Sequence, residues 1–80
     1  MFVYILYSRS LKKHYVGQTQ DLTNRLDRHN NGREKFTKRG TPWELIWSQY
    51  CLNRSEAIIL ERKIKKRGAS RFLNDNKLGA

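Results

Sequence analysis

The apolar positions of this 80-residue chain fall into blocks with different periods. Residues 2–7, FVYILY, are aliphatic, aromatic and β-branched without interruption, the pattern of a buried strand. The polar SRSLKK follows as a turn, and HYVGQ reads as a second strand that closes an antiparallel hairpin. Gly17 inside that strand predicts a bulge or the close approach of another stretch of chain. A helical period then starts near Asp21, with Thr19 or Asp21 as its cap. It runs to about Asn30, where Asn31-Gly32 is a strong stop. Residues 33–42, REKFTKRGTP, form a basic loop, and WELIWSQYC forms a third strand. In that strand Trp43, Leu45 and Trp47 alternate with Glu44, Ile46 and Ser48.

Residues 53–56 have the form of a helix start, an asparagine cap with an acid at the third helical position. That second helix runs through Ala57, Leu60, Glu61 and Ile64 and stops before Gly68. SRFLNDNK makes a last short helix packed through Phe72 and Leu73. The order β-β-α-β-α-α predicts one α+β domain over residues 1–80, a small three-stranded antiparallel sheet flanked by helices.

Two of these helices carry charge inside their apolar stripes. Leu22, Arg25, Leu26 and His29 share one face of the first helix, at i, i+3, i+4 and i+7. Ala57, Leu60, Glu61 and Ile64 repeat the spacing on the second. The plain explanations are an arginine that snorkels off the stripe and a glutamate paired to Lys65 one turn on. The sharper one is a shared polar pocket over the sheet. There Arg25 would hold a phosphate and Glu61 a hard, water-rich cation such as Mg²⁺. The strand tyrosines Tyr4, Tyr7 and Tyr15 suit strands in any case. One of them, next to a cation, can also serve as a proton acceptor. Together these are the parts for phosphodiester cleavage.

Charge strengthens the nucleic-acid side of this reading. Seventeen Lys and Arg against seven Asp and Glu give a formal charge of +10, which attracts polyanions at long range. Loop cations Arg33, Lys35, Lys38 and Arg39, and helix cations Arg62, Lys63, Lys66 and Arg67, are candidates for backbone contact, against a merely solvated face. The single cysteine, Cys51, allows no intrachain disulfide and reads as a small core residue. A chain of this size without disulfides is at home in the cytoplasm. No apolar run reaches the roughly 18 residues of a membrane span. At the N-terminus the positive charge follows the apolar run, the wrong order for a signal peptide.

The hairpin also resembles a known family. Val3-Tyr4-Ile5 and Tyr15-Val16-Gly17 are similar to the two halves of the GIY-YIG nuclease signature, with valine for the first glycine and for the second isoleucine. Arg25-x-x-x-His29, the Asn-x-Gly turn, the Thr-Pro-Trp-Glu-Leu opening of the third strand and Glu61 follow in the family's order. The chain looks like the small stand-alone bacterial members, described as endonuclease-like or excinuclease-subunit-like. The resemblance implies metal-dependent hydrolysis of a DNA phosphodiester bond, with Mg²⁺ or Mn²⁺ as cofactor. It implies Tyr15 as general base, Tyr4 as a residue orienting phosphate or water, and Arg25 on the scissile phosphate. It also implies His29 bonded within the pocket and relaying the proton of Tyr15, Glu61 as the one protein ligand of the metal, and a site asparagine, Asn74 or else Asn76.

One further position departs from the pattern of some members. Gln18 stands where some members have a lysine that lowers the pKa of the base, so Lys12, Lys13 or Arg25 must supply that field. With no zinc-finger spacing and no attached domain in this sequence, the expected action is structure-directed nicking in DNA repair or processing, or recruitment by a partner protein. The competing expectation is a basic binding module with the nuclease fold and little turnover. A structural or ribosome-associated protein ranks last.

Overall fold

The uninterrupted apolar block at the start of the chain becomes the middle strand of the sheet. A computed structural model describes residues 1–32, 34, 35 and 37–75. In it β1 (Phe2–Ser8) pairs antiparallel with both β2 (Lys13–Thr19) and β3 (Trp43–Tyr50), in the order β2-β1-β3. A middle strand covered on both faces needs apolar residues at every position, which is why period-2 alternation is missing from FVYILY. Val3 and Ile5 point into a core with Val16, Ala57, Ile64, Phe72 and Leu73. Tyr4 and Leu6 point the other way, against Trp43 and the partly buried Tyr15, Leu22 and Leu26. The first core is built on α2 (Arg54–Arg67) and α3 (Ala69–Asp75), the second on α1 (Leu22–Asn30). The fold is thus the expected α+β arrangement, a three-stranded antiparallel sheet between helices. A single 3-10 turn, Lys38–Gly40, is added in the loop before β3.

The helix boundaries follow their caps. Asp21 accepts the Asn24 amide at 3.0 Å and starts α1, and Asn31 caps its end ahead of Gly32 at φ +72°. Asn53 accepts the Glu56 amide at 2.9 Å, while the Glu56 carboxylate reaches back to the Leu52 amide at 3.1 Å. Two orphan amides are satisfied reciprocally. Gly68, at φ +94°, ends α2.

Strand β3 corrects the expected alternation. Ile5 pairs with Trp47 but Leu6 pairs with Leu45, so Ile46 is an extra, unpaired residue in a bulge. The phase of the strand flips there. Trp43 packs beside Tyr4 and Leu6, whereas Trp47 meets Phe72 on the opposite face, ring centroids 5.1 Å apart. Leu45 and Ile46 remain exposed on this edge strand.

The expectation at Gly17 resolves into the close approach of a side chain. Gly17 stands opposite Tyr4 in the β1–β2 register. A Cβ there would lie 2.6 Å from the Tyr4 hydroxyl oxygen and 2.8 Å from Cζ. The Tyr4 ring is buried and cannot swing away. Gly17→Ala is therefore expected to destabilise the fold by about 1–3 kcal/mol through overpacking. The checking measurement is the thermal midpoint, which should drop by at least roughly 4 °C for a domain of this size.

Candidate active site

The register places two phenols over one glycine. Tyr4 lies opposite Gly17, and Leu6 lies opposite Tyr15, so Tyr4 and Tyr15 rise from the same face of the sheet. Their ring centroids are 6.3 Å apart. The missing Cβ of Gly17 provides the floor on which both rings converge, since Tyr15 Cε1 would also lie within 3.1 Å of it. This is the physical content of the Tyr-Val-Gly triplet.

Helix α1 covers these rings. Leu22 and Leu26 seat it on the second core, and the same face therefore turns Arg25 and His29 inward. His29 is 1 % exposed and both its ring nitrogens are bonded. Nε2 meets the Tyr4 hydroxyl at 3.1 Å and Nδ1 meets Thr37 Oγ1 at 2.7 Å. The Thr37 hydroxyl donates its one proton to the Glu34 carbonyl at 3.3 Å, so it accepts from Nδ1–H. Nε2 is then the unprotonated nitrogen and accepts from the Tyr4 O–H. The partner of His29 is thus the phenol of Tyr4, while Tyr15 packs against the imidazole edge-on at 4.9 Å between centroids.

The electrostatics separate the two tyrosines. Burial raises the Tyr4 pKa far above the ordinary phenol value, and the charge of Tyr15 raises it further, against the opposing pull of Arg25. Tyr4 is a permanent neutral O–H donor to His29. Burial also lowers the pKa of His29, with Glu34 acting in the opposite sense and Arg25 and Arg28 reinforcing the burial. Tyr15, Arg25, Glu34 and Glu61 all act on the Tyr4 phenol.

Glu34 was not singled out by the sequence pattern. Its carboxylate contacts Arg28 at 3.2 Å and Arg25 at 3.7 Å, tethering both guanidiniums beside the pocket. These are ion pairs without hydrogen-bond alignment, and Glu34 Oε1 has no hydrogen-bond donor among the described residues. The available signal was that Glu34 is the one acid in the basic segment 33–42. Thr37 and Asn30 had no such signal. Thr37 accepts the Trp43 indole N–H at 2.7 Å through its carbonyl, and Asn30 bonds both the amide and the carbonyl of Trp43.

Glu61 comes from α2, on the opposite face of the sheet, and is half-buried. Its Oε2 pairs with Lys65 at 2.8 Å, as helical spacing allows. Gln18 pairs with Val3 and so points away from Tyr15. Gln18 nonetheless shares with Arg25 and Arg54 a cleft of about 480 Å³. Among the described residues no three His, Cys, Asp or Glu side chains gather as a metal cage. Glu61 is a single carboxylate that could hold a hard cation keeping most of its waters only in exchange for Lys65.

The remaining candidates lie elsewhere. Asn74 is exposed on α3, in a cleft with Tyr7 and His14, away from the Tyr4 phenol. Lys35, Lys38 and Arg39 are exposed on the loop that carries Thr37, and Arg62, Lys63 and Lys66 are exposed along α2. Arg67 is held by Asp75 through two hydrogen bonds, of 2.6 and 2.9 Å. Arg33 and Asn76 lie outside the described residues.

The buried histidine gives a pH dependence of definite sign. The folded state holds His29 neutral, while the unfolded chain protonates it as pH falls through 6.5. The unfolded state then binds more protons, so stability declines with acidification. Burial lowers the pKa of His14 as well, in the same direction. The thermal midpoint should fall between about pH 7.5 and about pH 5, and His29→Gln should flatten that dependence to the part His14 contributes.

Comparison with known proteins agrees with this geometry. The family model of the GIY-YIG catalytic domain matches residues 1–75. A UPF0213 protein of Oceanobacillus iheyensis is 36% identical over 66 residues, covering 81% of this chain and 76% of its own. One of Streptococcus pneumoniae serotype 4 is 32% identical over 79 residues, covering 94% of this chain and 79% of its own. One of Pediococcus pentosaceus is 38% identical over 66 residues, covering 78% and 70%. No solved structure matches the chain. With two phenols meeting over the glycine of the second triplet, an arginine and a histidine turned onto them from α1 and the family model spanning all the described residues, the chain belongs to the GIY-YIG catalytic-domain family.

Proposed function

We propose that this chain is a divalent-metal-dependent DNA endonuclease that nicks branched, flapped or damaged DNA during repair or processing. The observation that supports the proposal is the meeting of Tyr4 and Tyr15 over Gly17, beneath the helix that carries Arg25 and His29, in a chain the GIY-YIG catalytic-domain model matches over residues 1–75. A base, a phosphate-binding cation and a metal-binding carboxylate form the minimum set for phosphodiester hydrolysis.

The roles follow from the environments. Arg25, tethered only loosely by Glu34 at 3.7 Å, binds a non-bridging oxygen of the scissile phosphate and stabilises the charge that builds there. Tyr15 takes the proton of the attacking water while its own phenol proton passes to solvent water. Tyr4 has its O–H committed to His29, so its oxygen is left to accept a hydrogen bond from that water and orient it. His29 keeps Tyr4 protonated and leaves Tyr15 as the phenol available for proton transfer. Glu61 would hold Mg²⁺ or Mn²⁺, and the cation when bound neutralises phosphate charge and steadies the leaving oxygen. The exposed Lys38 and Arg39 beside the pocket contact the backbone without reading sequence.

A second reading has its own observation. The Glu61–Lys65 ion pair neutralises the carboxylate within its own helix, as in a basic module that binds nucleic acid with little turnover.

Nicking of supercoiled plasmid with Mg²⁺ or Mn²⁺ decides between them. Wild type should nick, and Arg25→Ala should lose about 10²–10³-fold in rate with an unchanged circular dichroism spectrum. Tyr15→Phe and Glu61→Ala should be comparably impaired. Equal nicking by wild type and all three variants would mean a contaminating nuclease. Binding without nicking in either metal would establish the second reading. In titrations against salt, Lys38→Ala should lower the slope of log affinity by about one unit for each phosphate it no longer neutralises.

A further inference from the structure

The reaction leaves unused an aromatic and basic groove on the other side of β2. Tyr7 and His14 are cross-strand partners with ring centroids 4.9 Å apart, and both rings are half-buried. They line a cleft of about 500 Å³ together with Arg71 and Asn74. A second cleft of about 670 Å³ contains Tyr15 and Lys65. His14 and Arg71 line both, so the two form one groove with the Tyr15 end at the candidate active site and the Asn74 end on α3. Each volume is within the roughly 300–1,000 Å³ of small-ligand sites.

The chemistry of this groove is that of single-strand recognition. Rings that offer a stacking surface alternate with cations that follow a phosphate backbone. Burial lowers the pKa of His14, so its ring is neutral and apolar near pH 7. Arg71 is exposed at the lip, and the Asn74 amide offers a donor and an acceptor to a base edge. A duplex keeps its bases stacked inside and has no use for such a floor. An unpaired base does.

We propose that the groove is a subsite for an unpaired nucleotide flanking the cleaved phosphate, its base stacked on the Tyr7–His14 pair and its phosphate held by Arg71. The placement of the cleaved phosphate near Tyr15 rests on the endonuclease reading, whereas the binding of an unpaired base does not require turnover.

The test is therefore made with chelator present, so that no strand is cut. A short single-stranded oligodeoxynucleotide carrying one 2-aminopurine and a terminal dye is titrated with protein. Wild type should quench the 2-aminopurine by stacking, and His14→Ala should weaken binding roughly ten-fold. His14→Phe should retain both signals. Replacing the reporter base by an abasic site should remove the difference between wild type and His14→Ala, and neither His14→Ala nor Arg71→Ala should alter binding of the matching duplex. Should His14→Ala fail to fold, Arg71→Ala on the exposed helix surface must still lose affinity for the single strand selectively. Equal single-strand affinity in wild type, His14→Ala and Arg71→Ala would overturn the subsite, as would a His14 effect that persists at the abasic site. Loss of nicking in Tyr15→Phe with unaltered binding in His14→Ala would reject this subsite alone and leave the endonuclease reading intact.

Discussion

His29 carries the constraint on which the rest of the site depends. Its ring is 1 % exposed and ties three elements together, α1 by its backbone, β1 through the Tyr4 hydroxyl and the following loop through Thr37. A buried imidazole with one unpaired nitrogen would cost on the order of 1–3 kcal/mol, so each partner is required. Because the Thr37 proton is spent on the Glu34 carbonyl, the tautomer of His29 and the direction of the Tyr4 hydrogen bond are both determined. The chemistry of Tyr4 follows from a loop residue it never touches. The loop is pinned in turn by the Trp43 indole on the Thr37 carbonyl and by Asn30 on the Trp43 backbone.

The second constraint is the position of β2 at the edge of the sheet. A middle strand would have been closed off by a neighbour. An edge strand lets residues from both faces reach one cleft, Arg25 from the α1 side and Gln18 and Arg54 from the α2 side. The edge also leaves room for the groove that runs from Tyr15 past His14. Gln18, standing where some family members have a lysine, points to the face opposite Tyr15. Any electrostatic influence of that position on the base acts round the strand and not across a shared surface. Glu34 and Arg25, in contrast, lie on the side of the phenols and act on Tyr4 directly.

Much of this was legible in the sequence for local reasons. The Asp21 and Asn53 caps, the Gly68 stop and the apolar stripe of α1 are signals between residues a few positions apart. The inward turn of Arg25 and His29 is fixed once Leu22 and Leu26 are seated, because all four share a helix face. Glu61 and Lys65 pair as their spacing allows. The bulge at Ile46 was not legible, since WELIWSQY reads as regular alternation and only pairing with β1 reveals the extra residue. Thr37 was not legible either. Its role depends on a histidine eight residues away across a turn.

Sequence by itself determined the elements, the faces their residues share and the family's order of Tyr, Tyr, Arg, His and Glu, because each depends on short-range spacing and side-chain type. Tertiary structure alone decided which phenol His29 would bind, that Glu34 tethers Arg25 and Arg28, that Trp43 and Trp47 part to opposite faces, and that Asn74 lies beside Tyr7 and His14. These outcomes depend on strand register and on which face of the sheet each helix covers. Both are set by contacts between residues far apart in the chain, which no local period encodes.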